Sequence, residues 1–169
     1  MSREAAREQM AGVTSEQFRH ACGRFANGVC IASVLDSSGG PHGLTVSSFT
    51  SVSLSPPLIL ICLGHAVTVI DHFRAARFFG ISVLSVEQQH LSERFARKGE
   101  ERFNGIAWER GEAGVPLIPG ALAAIECETR QRITSGDHDI FVGEMTHARV
   151  TEGNPLIHFA GCYRRLAID

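Results

Sequence analysis

The chain has 169 residues, 44% hydrophobic and 20% charged, with a formal net charge of −2. A domain of this length buries roughly two-thirds of its unfolded surface, so neither a metal nor a disulfide staple is required. The charge balance excludes recruitment of nucleic acid or an anionic membrane by bulk electrostatics, and the composition excludes a disordered chain.

Fifteen of the sixteen basic residues are arginine, Lys98 being the exception. Cys22, Cys30, Cys62, Cys127 and Cys162 are widely spaced without a C-x-x-C pair, which predicts reduced, buried thiols. The opening "MSREAAREQMAG" has no apolar core of signal-peptide type. The longest apolar run, "LILICL", falls well short of the roughly eighteen residues that a membrane span needs. A cytoplasmic protein is expected, with residues 1–13 as a flexible tail and 14–169 as one domain.

In chain order, "TSEQFRHACGRFANG" predicts a helix with Thr14 and Gln17 at capping-box spacing and Gly28 as the stop. Its apolar positions Phe18, Ala21, Cys22 and Phe25 form one stripe, expected to pack on a sheet. "VCIASVL" (29–35) and "HGLTVSSF" (42–49) predict a hairpin around the turn "DSSGGP". Pro56 and Pro57 break the chain before "LILICLG", whose continuous aliphatic run suggests a strand covered on both faces. A short helix from near Thr68 carries Ile70 and Phe73, "FFGISVLS" (78–85) is a strand, and "EQQHLSERFARK" (87–98) has helical spacing.

The last third predicts strands over 121–133, 139–150 and 161–168, the first two joined by the tight "TSGDH" connection. Strands outnumber helices and do not alternate with them, so the pattern argues for an antiparallel barrel decorated by helices. No phosphate-binding glycine loop, nucleophile elbow or H-E-x-x-H is present, and no histidine spacing supports a metal.

Three stretches remain. "TVSSFTS" (45–51) is either a solvated strand end or a set of small donors lining a planar polar ligand. "RFARKGEERF" (94–103) is either a capped helix end or a phosphate clamp built from Arg94, Arg97, Lys98 and Arg102. "SGDHDIFVGE" (135–144) places His138 at a hairpin tip, where it is either solvated or able to touch a ligand.

The order "FANGV…GLTVSSFTSVSLSPPLILICL…FGISVLSVEQQHLSERFARK…GDHDIFVGEM…PLIHFAGCYRRL" resembles the short-chain flavin reductases, the reductase components of two-component flavin monooxygenases. The resemblance implies a mainly β, antiparallel, Greek-key-like split barrel of the FMN-binding type, a homodimer, FMN or FAD, NADH or NADPH as hydride donor, and a separate monooxygenase partner. It implies that Thr45, Val46, Ser47 and Ser48, extended by Ser51 and Ser53, line the flavin ring and ribityl chain. Cys62, Leu63, Gly64, His65 and Thr68 match the stretch near the ribityl phosphate, where His65 departs from the family's usual Asn. Phe95, Ala96, Lys98, Arg102 and Phe103 match the segment over the phosphate end, while His138 and Tyr163 match the nicotinamide side. The alternatives are a flavin-binding electron carrier or sensor without turnover, and a structural or interaction protein that binds no flavin.

Overall fold

The computed structural model describes residues 12–99 and 101–166. The predicted tail over 1–13 therefore lies almost wholly outside the described residues. Helix α1 (Ser15–Cys22) opens with the expected capping box: the Thr14 side chain accepts from the Gln17 amide, and the Gln17 side chain accepts from the Thr14 amide. Its C-cap is Gly23, not Gly28, which falls in the short strand β1 (Asn27–Gly28). No residue of α1 is buried, so its apolar stripe does not pack on a sheet as the periodicity suggested.

Strands β2 (Cys30–Leu35) and β3 (Pro41–Val46) form the predicted hairpin. Asp36 shapes its turn by accepting from the Ser38 and Gly40 amides at 2.8 Å each. Next come β4 (Thr50–Ser53), β5 (Leu58–Gly64), α2 (Ile70–Ala75) and β6 (Phe78–Val83). A 3-10 turn at Val86–Gln88 leads into α3 (Gln89–Ala96). The short pair β7 (Glu109–Arg110) and β8 (Pro116–Leu117) precedes the long hairpin β9 (Ala123–Ser135) and β10 (His138–Val150). Strands β11 (Ile157–Phe159) and β12 (Cys162–Arg164) close the chain. The short strands β1, β7, β8 and β11 carry too few residues to show a period.

Seven antiparallel strands order as β3-β2-β6-β9-β10-β5-β4. The chain leaves β3 at one edge and within four residues begins β4 at the other, so the sheet curls on itself into a split β-barrel. Its interior holds Ala32, Val34, Leu44, Val46, Ile59, Ile61, Leu63, Phe79, Ile81 and Phe141. Outside it, α3 lays Leu91 and Phe95 over Ile31 together with Phe103. Strands β2 and β6 are thus buried on both faces. The predicted candidate, β5, alternates instead: Ile59, Ile61 and Leu63 point inward, while Leu58, Leu60, Cys62 and Gly64 face the other way, partly open. An aliphatic run reports affinity for the interior, but period two decides which half reaches it.

Helix α2 covers one end of the barrel: Phe73 meets Phe141 edge-on at 6.1 Å, and the His72 ring stacks on His42 of β3 at 3.6 Å. On β10, Gly143 lies against Phe79 so closely that a Cβ there would sit 2.5 Å from Phe79 Cζ and 2.8 Å from Cys127 Cβ. Both neighbours are buried and cannot retreat. Gly143→Ala is therefore expected to destabilise the fold by about 1–3 kcal/mol through overpacking, read as a lower urea midpoint at unchanged m-value.

Candidate functional site

The hydroxyl-rich segment divides once its hydrogen bonds are traced. Thr45 Oγ1 donates to the Ser92 carbonyl at 2.6 Å. Ser48 Oγ accepts from the Cys62 amide at 2.9 Å and donates to the Cys62 carbonyl at 3.1 Å. Thr68 Oγ1 donates to the Gly99 carbonyl at 3.1 Å, which joins the chain just beyond β5 to the basic turn. Val46 and Leu63 are core residues. Ser47 and Ser51 are exposed, Ser53 is half-buried, and no side-chain hydrogen bond engages these three among the described residues.

On the outward face of β5, Gly64 pairs with His138 and Cys62 pairs with Ile140. Directly opposed residues of an antiparallel pair project to the same side, so the imidazole stands over Gly64. A Cβ on Gly64 would lie 3.4 Å from His138 Nε2. His138 Nδ1 is bonded to Asp137 Oδ1 at 2.7 Å, and this contact holds the Asp137 carboxyl below the usual range. The Cys62 thiol is pushed up by burial, which removes thiolate chemistry from this face. Cys30 and Cys127 are raised to about 12, by burial in both cases, with the Glu126 charge adding at Cys127. Cys22 and Cys162 are exposed, against the expectation that all five thiols are buried.

Of the segment expected over the phosphate end, Phe95 and Phe103 belong to the core, meeting edge-to-face at 4.8 Å. Arg102 is buried and donates to the Arg97 carbonyl at 2.9 Å and the Gly43 carbonyl at 2.7 Å; burial lowers its pKa. Arg94 donates to the carbonyls of Arg102 and Asn104. These two arginines brace the turn with their side chains. Ala96, Arg97 and Lys98 are exposed, and a cavity of about 210 Å³ is lined by Arg94, Arg97, Lys98 and Arg102 together with Gly99 and the acidic Glu101. Sequence reasoning missed Ser92, fully buried on α3, whose hydroxyl bonds Tyr163 Oη at 2.8 Å and whose carbonyl holds Thr45. It thereby joins the flavin-side and nicotinamide-side candidates. Its only sequence signal is a small polar residue between Leu91 and Phe95 on the packed helix face.

His65, placed by resemblance near a phosphate, instead bonds Asp139 Oδ1 through Nε2 at 3.0 Å. Asp139 is 1% exposed and also accepts from Arg74 Nε at 2.9 Å and Thr134 Oγ1 at 2.8 Å. The Arg74 hydrogen bond, first, holds its carboxyl well below the usual carboxylate range; burial opposes this, and Thr134 and His65 assist. Elsewhere, donor atoms of Asp36, His42 and His72 converge within 4.8 Å. The two rings lie only 12° from parallel, however, so their in-plane lone pairs run side by side and do not meet at a point, which is packing geometry and not ligation geometry.

The residues present fit a planar ring with a phosphate tail. Small side chains at Ser47, Ser48, Cys62 and Gly64 leave room on the outward face beside His138, whose ring packs on Gly64, and Thr68 joins that face to the basic turn carrying Lys98. Antiparallel split barrel and open face together define a flavin-reductase-type protein. The flavin reductase like domain family matches residues 22–167, and the chain belongs to that family. It is 41% identical over 156 residues to an NADH-dependent FMN reductase of Agrobacterium fabrum, covering 92% of this chain and 88% of that protein. An NADH-dependent FAD reductase of Streptomyces globisporus is 39% identical over 159 residues, with 90% and 86% covered. Among solved structures, the S. globisporus NADH:FAD oxidoreductase in complex with NAD and FAD fragments superposes with a TM-score of 0.86 at 38% identity, covering 91% of this chain and 93% of that one. The flavin reductase component of a bacterial two-component tryptophan halogenase gives 0.84 at 36%, covering 92% and 100%.

The Asp139 network sets an acid limit. A carboxylate with a depressed folded pKa contributes stability that is complete above its unfolded value of about 3.9 and is lost as pH falls through the folded one. Asp139→Asn is thus expected to lower stability at neutral pH and to flatten the fall of the urea midpoint below about pH 4. The remaining slope comes from groups such as Asp36, held low chiefly by the Ser38 hydroxyl and then by His42 and the Gly40 amide.

Proposed function

We propose that this chain is an NAD(P)H-dependent flavin reductase that binds FMN or FAD on the outward face around Ser47, Ser48, Cys62 and Gly64 and delivers reduced flavin to a separate monooxygenase. One observation carries the placement: the His138 ring packs directly on Gly64, at the end of the β5 outward face where Cys62 and Gly64 follow Leu58 and Leu60. When both are bound, the nicotinamide supplies a hydride from C4 to the flavin N5, and no protein acid or base is required for that step. The chain's task is to hold two flat rings together and keep water away.

Each candidate then has a task set by its bonds. Ser48 fixes the loop and contributes shape, because both hydrogen-bonding functions of its hydroxyl are engaged by Cys62. Ser47, with neighbouring main-chain groups, is left to meet the polar edge of the ring. Lys98 and Arg97 attract the phosphate, while Arg102 shapes the turn that presents them. His138 flanks the nicotinamide, with Tyr163 oriented through Ser92. The five free cysteines suit a reducing, cytoplasmic compartment. No described helix is long and apolar enough to cross a membrane.

Purified protein mixed with NADH or NADPH and excess FMN or FAD should oxidise the nicotinamide far faster than free flavin does. A rate equal to that of free flavin would sink the assignment. His138→Ala is expected to raise the KM for nicotinamide about tenfold while moving the flavin KM less than about twofold, a split visible in steady-state kinetics. Equal changes in both would limit His138 to bracing the hairpin.

A homodimer completes the proposal. The stripe on and beside α1 leaves Phe18 61% and Phe25 73% exposed, and Leu54 is 92% exposed beyond β4. Such side chains each gain about 1.5–3 kcal/mol on burial, and a second copy of the chain would supply the missing cover. Sedimentation should therefore give a dimer for the wild type and a shift towards monomer for Phe18→Asp.

A further inference from the structure

His138 is 49% exposed, and its described side-chain partner Asp137 is 93% exposed. That pair can swing together, so it does not fix the imidazole over Gly64. The next residue is its opposite. Asp139 points inward from β10, and three donors from three other elements converge on its carboxylate: Arg74 of α2, His65 at the exit of β5 and Thr134 of β9.

We propose that Asp139 is the positioning residue of the nicotinamide-side hairpin, locking the tip that carries His138 to the β5 end that carries Gly64 and, through Arg74, to α2. The link to nicotinamide rests on the flavin-reductase reading; the lock itself does not.

The donor set explains why a carboxylate stands there. Oδ1 accepts from His65 and Thr134, and Oδ2 accepts from Arg74. An asparagine of the same size has one acceptor oxygen; with that oxygen kept on Arg74, its NH₂ is met only if the Thr134 hydroxyl and the neutral His65 ring both turn from donor to acceptor, and Arg74 loses its buried countercharge. Loss of the buried charge facing the Arg74 guanidinium is costly, so the three elements are held together less tightly. Arg74 would then keep only Asp71, at 3.1 Å, whose side chain is 86% exposed. Such a partner anchors little. Because His138 and Asp139 are consecutive on one strand, any slackening at the second displaces the first.

The test uses Asp139→Asn, His138→Ala and the double variant, with two readouts. Hydrogen–deuterium exchange on the protein alone is expected to show amides 134–140 exchanging about tenfold faster in Asp139→Asn than the loss of global stability, followed at the slow amides of β2 and β6, accounts for. Steady-state kinetics are expected to show the nicotinamide KM raised about tenfold, with kcat and flavin KM within about twofold, and no additional effect of Asp139→Asn in the His138→Ala background. Unchanged exchange at the tip overturns the proposal, as does a full-sized KM effect that persists without His138. Thr134→Val removes one arm while leaving the charge paired, so a smaller shift of the same kind is expected there. If Asp139→Asn does not fold, that variant decides, and no shift in it overturns the proposal. A wild type without turnover would refute the reductase assignment, while the exchange experiment would still report on the lock.

Discussion

Closure of the barrel depends on a side chain that completes a β-ladder. Strand β4 pairs with β5 only from Leu58 to Leu60, so the Cys62 peptide emerges on that edge with no strand beside it. Ser48 supplies what the missing strand would: its oxygen accepts from the Cys62 amide and its hydroxyl donates to the Cys62 carbonyl. A hydroxyl can do both at once, which neither a carboxylate nor an ammonium can. The residues after β3 are thereby held against β5, and β3 itself is held against α3 through Thr45 and Ser92.

Separation of the two faces of the sheet follows from this closure. Inward residues fill a well-packed interior in which even Gly143 is fixed by contact with Phe79. Outward residues near the closure are small, because the loop carrying Ser47 and Ser48 lies beside them. The open face is thus a by-product of how the barrel shuts. It suits cofactor-borne chemistry, in which rigid placement matters and acid–base groups do not.

Much of the architecture was legible where a local period was long enough to read. The capping box at Thr14, the β2–β3 hairpin, the prolines before β5 and the "TSGDH" connection between β9 and β10 all declare themselves within ten residues of chain. The destination of each face did not. The α1 stripe reads like any buried stripe, yet the surface that would cover it is not on this chain's own sheet. Likewise the run in β5 reads as doubly buried because Leu58, Leu60 and Cys62 are apolar, although they face outward. At the site, residue type pointed to candidate segments but not to which polar groups are available. Hydrogen-bond partners such as Ser92 for Thr45, or Asp139 for His65, lie 47 and 74 residues away and leave no mark on local sequence.

The basic turn shows what that distinction means for recognition. Four cations within nine residues suggest a single clamp, yet Arg94 and Arg102 give their donors to main-chain carbonyls. Each spends two of its five N–H donors there, so fewer remain for an anion, and guanidinium recognition of phosphate depends on those bonds. On the proposed reading, direct contact falls mainly to exposed Arg97 and Lys98, where solvent and salt screen the attraction. A phosphate held in this way exchanges more readily than one held by four converging donors. On the same proposed reading, a rigid ring platform joined to a loosely held tail would reconcile hydride transfer with release of reduced flavin.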